Sequence, residues 1–119
     1  MQDQLVTLET AKKAKRKGFW WDTFNFAYET DDGELQLDYG YNHTMRKDDS
    51  LKVPTQSLMQ KFARVEYNKN MYPVKNKNGW ICVIIDLDDE DDYEFTRVYT
   101  SYEDALESGI NLFLEEIVK

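Results

Sequence analysis

The chain has 119 residues, 41% hydrophobic and 14% aromatic, which fits one small domain with a core of its own. Fifteen Lys and Arg against 23 Asp and Glu leave a net charge of −8, so the mean field repels DNA, RNA and anionic lipid and disfavours a nucleic-acid partner. The run Ile81–Ile85 is too short to span a bilayer, Met1–Glu9 lacks the basic start and apolar body of a signal peptide, and Cys82 is the only cysteine. These features predict a cytoplasmic chain with no membrane contact, no internal disulfide and no multi-thiolate metal site.

In chain order, Thr7 suits a helix N-cap, Leu8, Ala11 and Ala14 follow at helical spacing, and Gly18 suits the residue that ends a helix. A helix over Leu8–Lys17 is predicted. It carries Lys12, Lys13, Lys15, Arg16 and Lys17, and Phe19, Trp20 and Trp21 come directly after. That cluster has the chemistry to touch phosphate and stack a base. It equally suits cations that complement the helix dipole and solvate an exposed face. Next, a two-residue turn at Asp32-Gly33 would pair Tyr28 with Leu37, Phe26 with Tyr39 and Phe24 with Tyr41, gathering the apolar side chains on one face of a hairpin over residues 20–41. Such an aromatic row serves as core or as a ligand platform, and an isolated hairpin must bury it to be stable. Asn42–Val53 shows little periodicity and reads as a connecting loop; its His43, the only histidine, has no sequence neighbour that makes it a catalytic base.

In the second half, Pro54 and Thr55 open a helix to about Tyr67, with Ser57 and Gln60 at capping-box spacing and Leu58, Met59, Phe62 and Val65 as its apolar stripe. Met71–Asn76 reads as a strand, where Pro73 favours an edge. A turn at Asn78-Gly79 would pair Val74 with Val83 and Tyr72 with Ile85. Trp80–Ile85 is apolar on both faces, which predicts a central strand covered on both sides. Two helices can cover one side; the other needs the hairpin, the first helix or a second copy of the chain, so a homodimer is possible. Cys82 within it reads as a buried, inert thiol. Tyr93–Tyr99 alternates as a third strand, Ser101 and Asp104 repeat the capping spacing, and Tyr102, Ala105, Leu106, Gly109, Ile110, Phe113 and Ile117 form the stripe of a last helix.

The predicted class is therefore α+β, a single domain over 1–119. An N-terminal helix and hairpin fill 1–53, and an α-β-β-β-α unit fills 54–119, with an antiparallel sheet packed against helices. The order of that unit resembles the topology of double-stranded-RNA-binding domains, but Ser101, Tyr102, Glu103 and Asp104 stand where those domains carry phosphate-gripping lysines. Asp86, Asp88, Asp89, Glu90, Asp91, Asp92 and Glu94 put seven carboxylates in nine residues. The segment reads as a solvated turn, as oxygen ligands for a hard cation, or as an acidic docking surface over Asp88–Asp92. A helix-loop-helix calcium register fails, because Asp91 falls where glycine is needed and Arg97 where the closing glutamate belongs. No phosphate loop, dinucleotide fingerprint, metalloprotease pair or nucleophile elbow is present, so no catalytic residue, metal or cofactor is assigned.

Pro54-Thr55-Gln56-Ser57-Leu58-Met59-Gln60-Lys61-Phe62 and Ser101-Tyr102-Glu103-Asp104-Ala105-Leu106-Glu107-Ser108-Gly109, with Thr7-Leu8-Glu9-Thr10-Ala11, resemble a family of small uncharacterised proteins of phages, prophages and mobile elements of gut bacteria. The resemblance spans nearly the whole chain. It implies a cytoplasmic accessory role and brings no site residues. The expectation is a non-enzymatic protein-interaction module with an unidentified protein partner, its contact surface formed by Lys12, Lys13, Arg16, Trp20 and Trp21. Two alternatives stand beside it: a nucleic-acid mimic that blocks a DNA-binding enzyme through its acids, and a weak nucleic-acid binder acting through the basic helix.

Overall fold

The computed structural model describes residues 4–23, 25–29, 35–38 and 51–118. Among the described residues three α-helices each begin at a capping hydroxyl. Thr7 Oγ1 accepts from Thr10 N at 3.2 Å to start α1, Leu8–Arg16, and Thr55 Oγ1 accepts from Leu58 N at 3.1 Å to start α2, Gln56–Tyr67. Ser101 Oγ accepts from Asp104 N at 3.1 Å to start α3, Tyr102–Leu112, which runs on into one π-helical turn, Phe113–Ile117. Each cap satisfies an amide that has no partner inside its helix. The expected Ser57–Gln60 capping pair is not used: Thr55 holds the extended backbone that a cap needs, and Gln60 Nε2 donates to Met71 O at 2.8 Å. The buried stripe of α2 is Met59, Phe62 and Ala63, with Leu58 half-buried and Val65 exposed, so the predicted stripe was rotated by part of a turn.

Among the described residues six strands form two antiparallel sheets, where one was predicted. β1 (Asn25–Glu29), β2 (Leu35–Asp38) and β3 (Leu51–Val53) assemble in the order β2-β1-β3; β4 (Lys69–Asn76), β5 (Gly79–Asp86) and β6 (Tyr93–Phe95) in the order β4-β5-β6. In the first sheet Phe26 stands level with Asp38, Ala27 with Leu37 and Tyr28 with Gln36. The expected pairs Phe26–Tyr39 and Tyr28–Leu37 do not form; the register is one residue away. The turn at Asp32-Gly33, the Phe24–Tyr41 pair and His43 lie outside the described residues. Leu51–Val53, expected as loop, is a strand that sets Leu51 level with Ala27 and Val53 with Asn25. Ala27, Leu51 and Val53 are all buried in the core, and the small Ala27 occupies a place assigned to the outer face. An alternating apolar-polar-apolar triplet is too short to announce itself as a strand, yet two of its three side chains are buried, and that fixes a register.

In the second sheet Tyr72 is level with Val83, Val74 with Ile81 and Asn76 with Gly79, two positions from the expected pairing. The turn is Lys77-Asn78, closed by Asn78 N donating to Asn76 Oδ1 at 2.8 Å. Gly79 belongs to the strand, because a Cβ there would overlap the Tyr99 carbonyl and lie 2.8 Å from Val98 Cγ1. Trp80 and Tyr99 are bonded to each other through both amides, at 2.8 and 2.7 Å, and it is this pairing that brings the chain so close to Gly79. β6 ends at Phe95 rather than Tyr99, and Thr96 turns inward, its Oγ1 accepting from Cys82 N at 3.0 Å.

Helices α2 and α3 cover one face of β4–β5, and Phe62 sits at an aromatic junction with Phe19, Trp21, Tyr67 and Phe113, ring centroids 4.9, 5.2, 5.7 and 6.3 Å away. One core cluster thus joins Ala11 and Ala14 of α1, Leu51 and Val53 of β3 and the C-terminal unit. A polar seam ties α1 to α3. Thr7 N and Oγ1 donate to Glu107 Oε2 at 3.0 and 3.1 Å, Asn111 Nδ2 donates to Thr10 Oγ1 at 2.9 Å, and Lys13 Nζ pairs with Asn111 Oδ1 and Glu115. The partners on α3 are four residues apart, one helical face.

α3 seats on β5 at Gly109, where an added Cβ would overlap Cys82 Sγ and lie 2.8 Å from Cys82 Cβ. Gly109→Ala should therefore destabilise: overpacking costs about 1–3 kcal/mol, more than the roughly 1 kcal/mol of helix propensity it adds. Urea unfolding should show the loss, and Cys82→Ala in the same chain should recover part of it; a more stable Gly109→Ala single variant contradicts the packing.

Candidate functional site

The two faces of the central strand β5 differ. Cys82 and Ile84 are buried beneath the helices. On the opposite face Ile81, Val83 and Ile85 are only half-buried, and their neighbours are exposed: Tyr72 and Val74 on β4 at 38% each, Tyr93 and Phe95 on β6 at 55% and 61%. Register aligns them in rows, Tyr72–Val83–Phe95, Val74–Ile81 and Ile85–Tyr93. The Tyr93 and Phe95 rings stack at 6.3 Å and 22°. A strand covered on both sides was expected; among the described residues α2 and α3 take one face, while α1 packs on β3 and α3, and the second face stays open. Scattered apolar exposure is ordinary, but seven adjoining apolar side chains across three strands form a contiguous patch of the kind that marks a contact surface.

The acidic turn closes one end of this sheet. Lys69 Nζ donates to Asp86 Oδ2 at 3.0 Å and Asp92 Oδ2 at 3.5 Å, and Asn68 Nδ2 donates to Asp88 Oδ2 at 2.6 Å. Asp88 N and Asp91 N donate to Asp86 Oδ1 and Asp89 Oδ1, so part of the carboxylate set shapes its own turn. The Lys69 hydrogen bond holds the Asp86 carboxyl below its ordinary range. Burial, the largest influence on Lys69, pushes its pKa down, but the hydrogen bonds and charges of Asp86 and Asp92 together raise it. Among the described residues no group of three or more His, Cys, Asp or Glu is placed to hold a metal ion. At the opposite end Lys77 stands exposed in the β4–β5 turn, while Lys75, level with Trp80 and 5.8 Å from its ring, belongs to the other face.

The residues singled out near the N-terminus differ in exposure and in partners. Lys13 is taken up by Glu115 and Asn111, and Trp21 packs on Phe62, whereas Lys12 and Arg16 are exposed and Trp20 is 61% exposed. The acids Asp88, Asp89, Glu90, Asp91 and Asp92 are all exposed. Away from both, an open recess of about 350 Å³ between β6 and α3 holds Arg97, whose Nε donates to Tyr99 Oη at 3.2 Å, and Ser108, whose Oγ accepts from Tyr99 Oη at 2.8 Å. The Ser108 bond lowers the Tyr99 pKa against burial, with Arg97 assisting. Sequence reading placed Tyr93 and Phe95 on a strand without signalling that they face outward; period-two alternation shows which residues share a face but not which face is covered.

No helix among the described residues is long and apolar enough to cross a membrane. Comparison with protein-family models, with curated proteins and with solved structures returned no match.

Burial pushes the Cys82 thiol up to about 12. At pH 8 the folded chain should leave an aromatic disulfide reagent unreacted and release one equivalent of thiol once unfolded in guanidinium; rapid labelling of the folded chain contradicts this burial. For Asp86 the folded pKa is depressed, so its contribution is present above the ordinary value of 3.8 and lost as pH falls through the folded value. The melting-temperature gap between the native chain and Asp86→Asn should be open at pH 7 and narrow as pH falls below the ordinary carboxylate range; a gap independent of pH removes the Lys69–Asp86 assignment.

Proposed function

We propose that the chain is a non-enzymatic protein-interaction module that docks a partner on the open face of the β4–β5–β6 sheet. The observation that carries this is the row Tyr72–Val83–Phe95, exposed at Tyr72 and Phe95, with Tyr93 stacked on Phe95. Aromatic side chains in water are the anchors that protein interfaces favour, since they supply large buried area with few rotatable bonds. A platform of this shape is also how some sheets stack nucleic-acid bases. Here the flanking turn is acidic and the whole chain carries −8, so a phosphate backbone laid along the face meets repulsion, and a protein surface fits better. A mimic of a phosphate row is served less well, because Lys69 sits among the carboxylates of the same turn. The mobile-element context that the motifs resemble belongs to this proposal as its setting.

A photo-crosslinking amino acid placed at Tyr93 or Tyr72 in cells that make the full chain should trap a protein adduct, while the same group at Lys12 on the basic helix should not. Adducts from Lys12 with none from either sheet position would move the contact surface to the N-terminal helix and overturn the proposal.

A further inference from the structure

We infer that the occupant of the open face is a second copy of this chain, stacked sheet on sheet about a two-fold axis lying between the sheets and across the strands. This rests on the docking reading above and adds the identity of the partner. The argument is one of charge placed at the two ends of one apolar surface. The acidic turn Leu87–Asp92 closes the β5–β6 end, and Lys77 stands exposed in the β4–β5 turn at the other. β5 has eight residues, so the ends lie roughly 26 Å apart. That is several times the screening length of about 8 Å at physiological salt, and each end therefore feels only what lies directly over it.

A two-fold axis across the strands reverses the partner sheet and sets its acidic turn over Lys77 at one end and its Lys77 under the acidic turn at the other. An axis along the strands would instead bring the two acidic turns together. The face is self-complementary in one orientation and self-repelling in the other, which is what a closed isologous dimer requires. Screening also reduces the repulsion between two chains of −8, so the contact is governed by the face and its rim.

Area sets the strength. With side-chain areas of about 150–250 Å² for the aromatics, the exposed parts of Tyr72, Val74, Tyr93 and Phe95 with the half-buried aliphatics amount to roughly 400–500 Å² per chain. Two faces and the two turns at their rim hide about 1,000 Å², the lower bound for a specific interface, so the dimer is reversible and weak.

Sedimentation velocity on the full chain from 1 to 500 μM should show a monomer–dimer equilibrium in that range. Phe95→Lys should weaken it at least about tenfold while leaving the circular dichroism and melting temperature unchanged; if that variant unfolds, Tyr72→Lys is used in its place. Lys77→Glu should weaken dimerisation about threefold to tenfold, and Lys77→Glu with Asp91→Lys in one chain should restore it, because both ends are then swapped together. A chain that stays monomeric to 500 μM, or a dimer that survives both Phe95→Lys and Tyr72→Lys, overturns the second copy. A dimer unaffected by Lys77→Glu overturns the orientation. The two readings separate cleanly: a monomeric chain that still yields crosslinks from Tyr93 to a different protein removes the dimer and keeps the docking face, and one that yields none removes both.

Discussion

The contact between Gly109 and Cys82 governs the layout of the C-terminal unit. A helix meets a sheet through its side chains, and at this one position α3 has none, so its backbone settles onto β5 with Cys82 Sγ filling the space. Ala105, Leu106, Ile110 and Phe113 then pack around that point with Met71 and Ile84, all buried. Close packing of this kind has little tolerance for an added methyl group, which makes the seat specific rather than merely apolar. It also commits α3, with α2 beside it, to a single side of the sheet.

A second constraint keeps the remaining elements from covering the other side. Glu107 accepts from Thr7 N and Oγ1 with one oxygen and from Gln56 Nε2 at 3.1 Å with the other, so one carboxylate ties the starts of α1 and α2 to α3. Gln56 and Thr10 are buried polar residues, and Gln56 Nε2 also donates to Glu103 O at 3.0 Å. Among the described residues no buried side-chain nitrogen or oxygen lacks a partner. Pulling α1 away would break these bonds, each worth about 0.5–1.5 kcal/mol net once the freed groups turn to water. α1, and β3 packed on it, are therefore held on the helix side, and among the described residues the second face of β4–β6 stays open.

The contrast between the two hairpins shows what was legible in the sequence and what was not. At β4–β5 the predicted register missed by two residues, and at β1–β2 by one. Side chains alternate with a period of two, so an even error preserves every face while an odd error exchanges them. Trp80, Cys82 and Ile84 were thus correctly grouped, as were Ile81, Val83 and Ile85, although the turn moved from Asn78-Gly79 to Lys77-Asn78. Gly79 misled because it stands after the turn and not in it, with a φ of +143° and with Tyr99, twenty residues on, closing the space a side chain would need. At β1 the missing information was β3, whose Leu51 and Val53 lie in a stretch too short to show periodicity. The helix caps at Thr7 and Ser101 could be read because capping is local chemistry, whereas at α2 the capping spacing of Ser57 and Gln60 pointed away from the cap at Thr55. The open face could not be read, because a sequence records that a strand is apolar on both sides without recording where the helices go.

An exposed aromatic face raises the question of why such a chain does not simply aggregate, and the sheet edges supply a physical answer. Uncontrolled association of sheets proceeds through unpaired edge amides. On β4 the edge carries Pro73, which has no amide to offer, and on β6 the edge is three residues long with Glu94 at its centre. The acidic turn leads directly into β6, and a net charge of −8 opposes indiscriminate contact between chains. Edge pairing is thus suppressed by backbone chemistry and charge, while the face itself, which needs no amides to pack, is left available. Protected edges beside an unprotected face are difficult to reconcile with a surface left bare by accident, since whatever limits aggregation has acted on the one and spared the other.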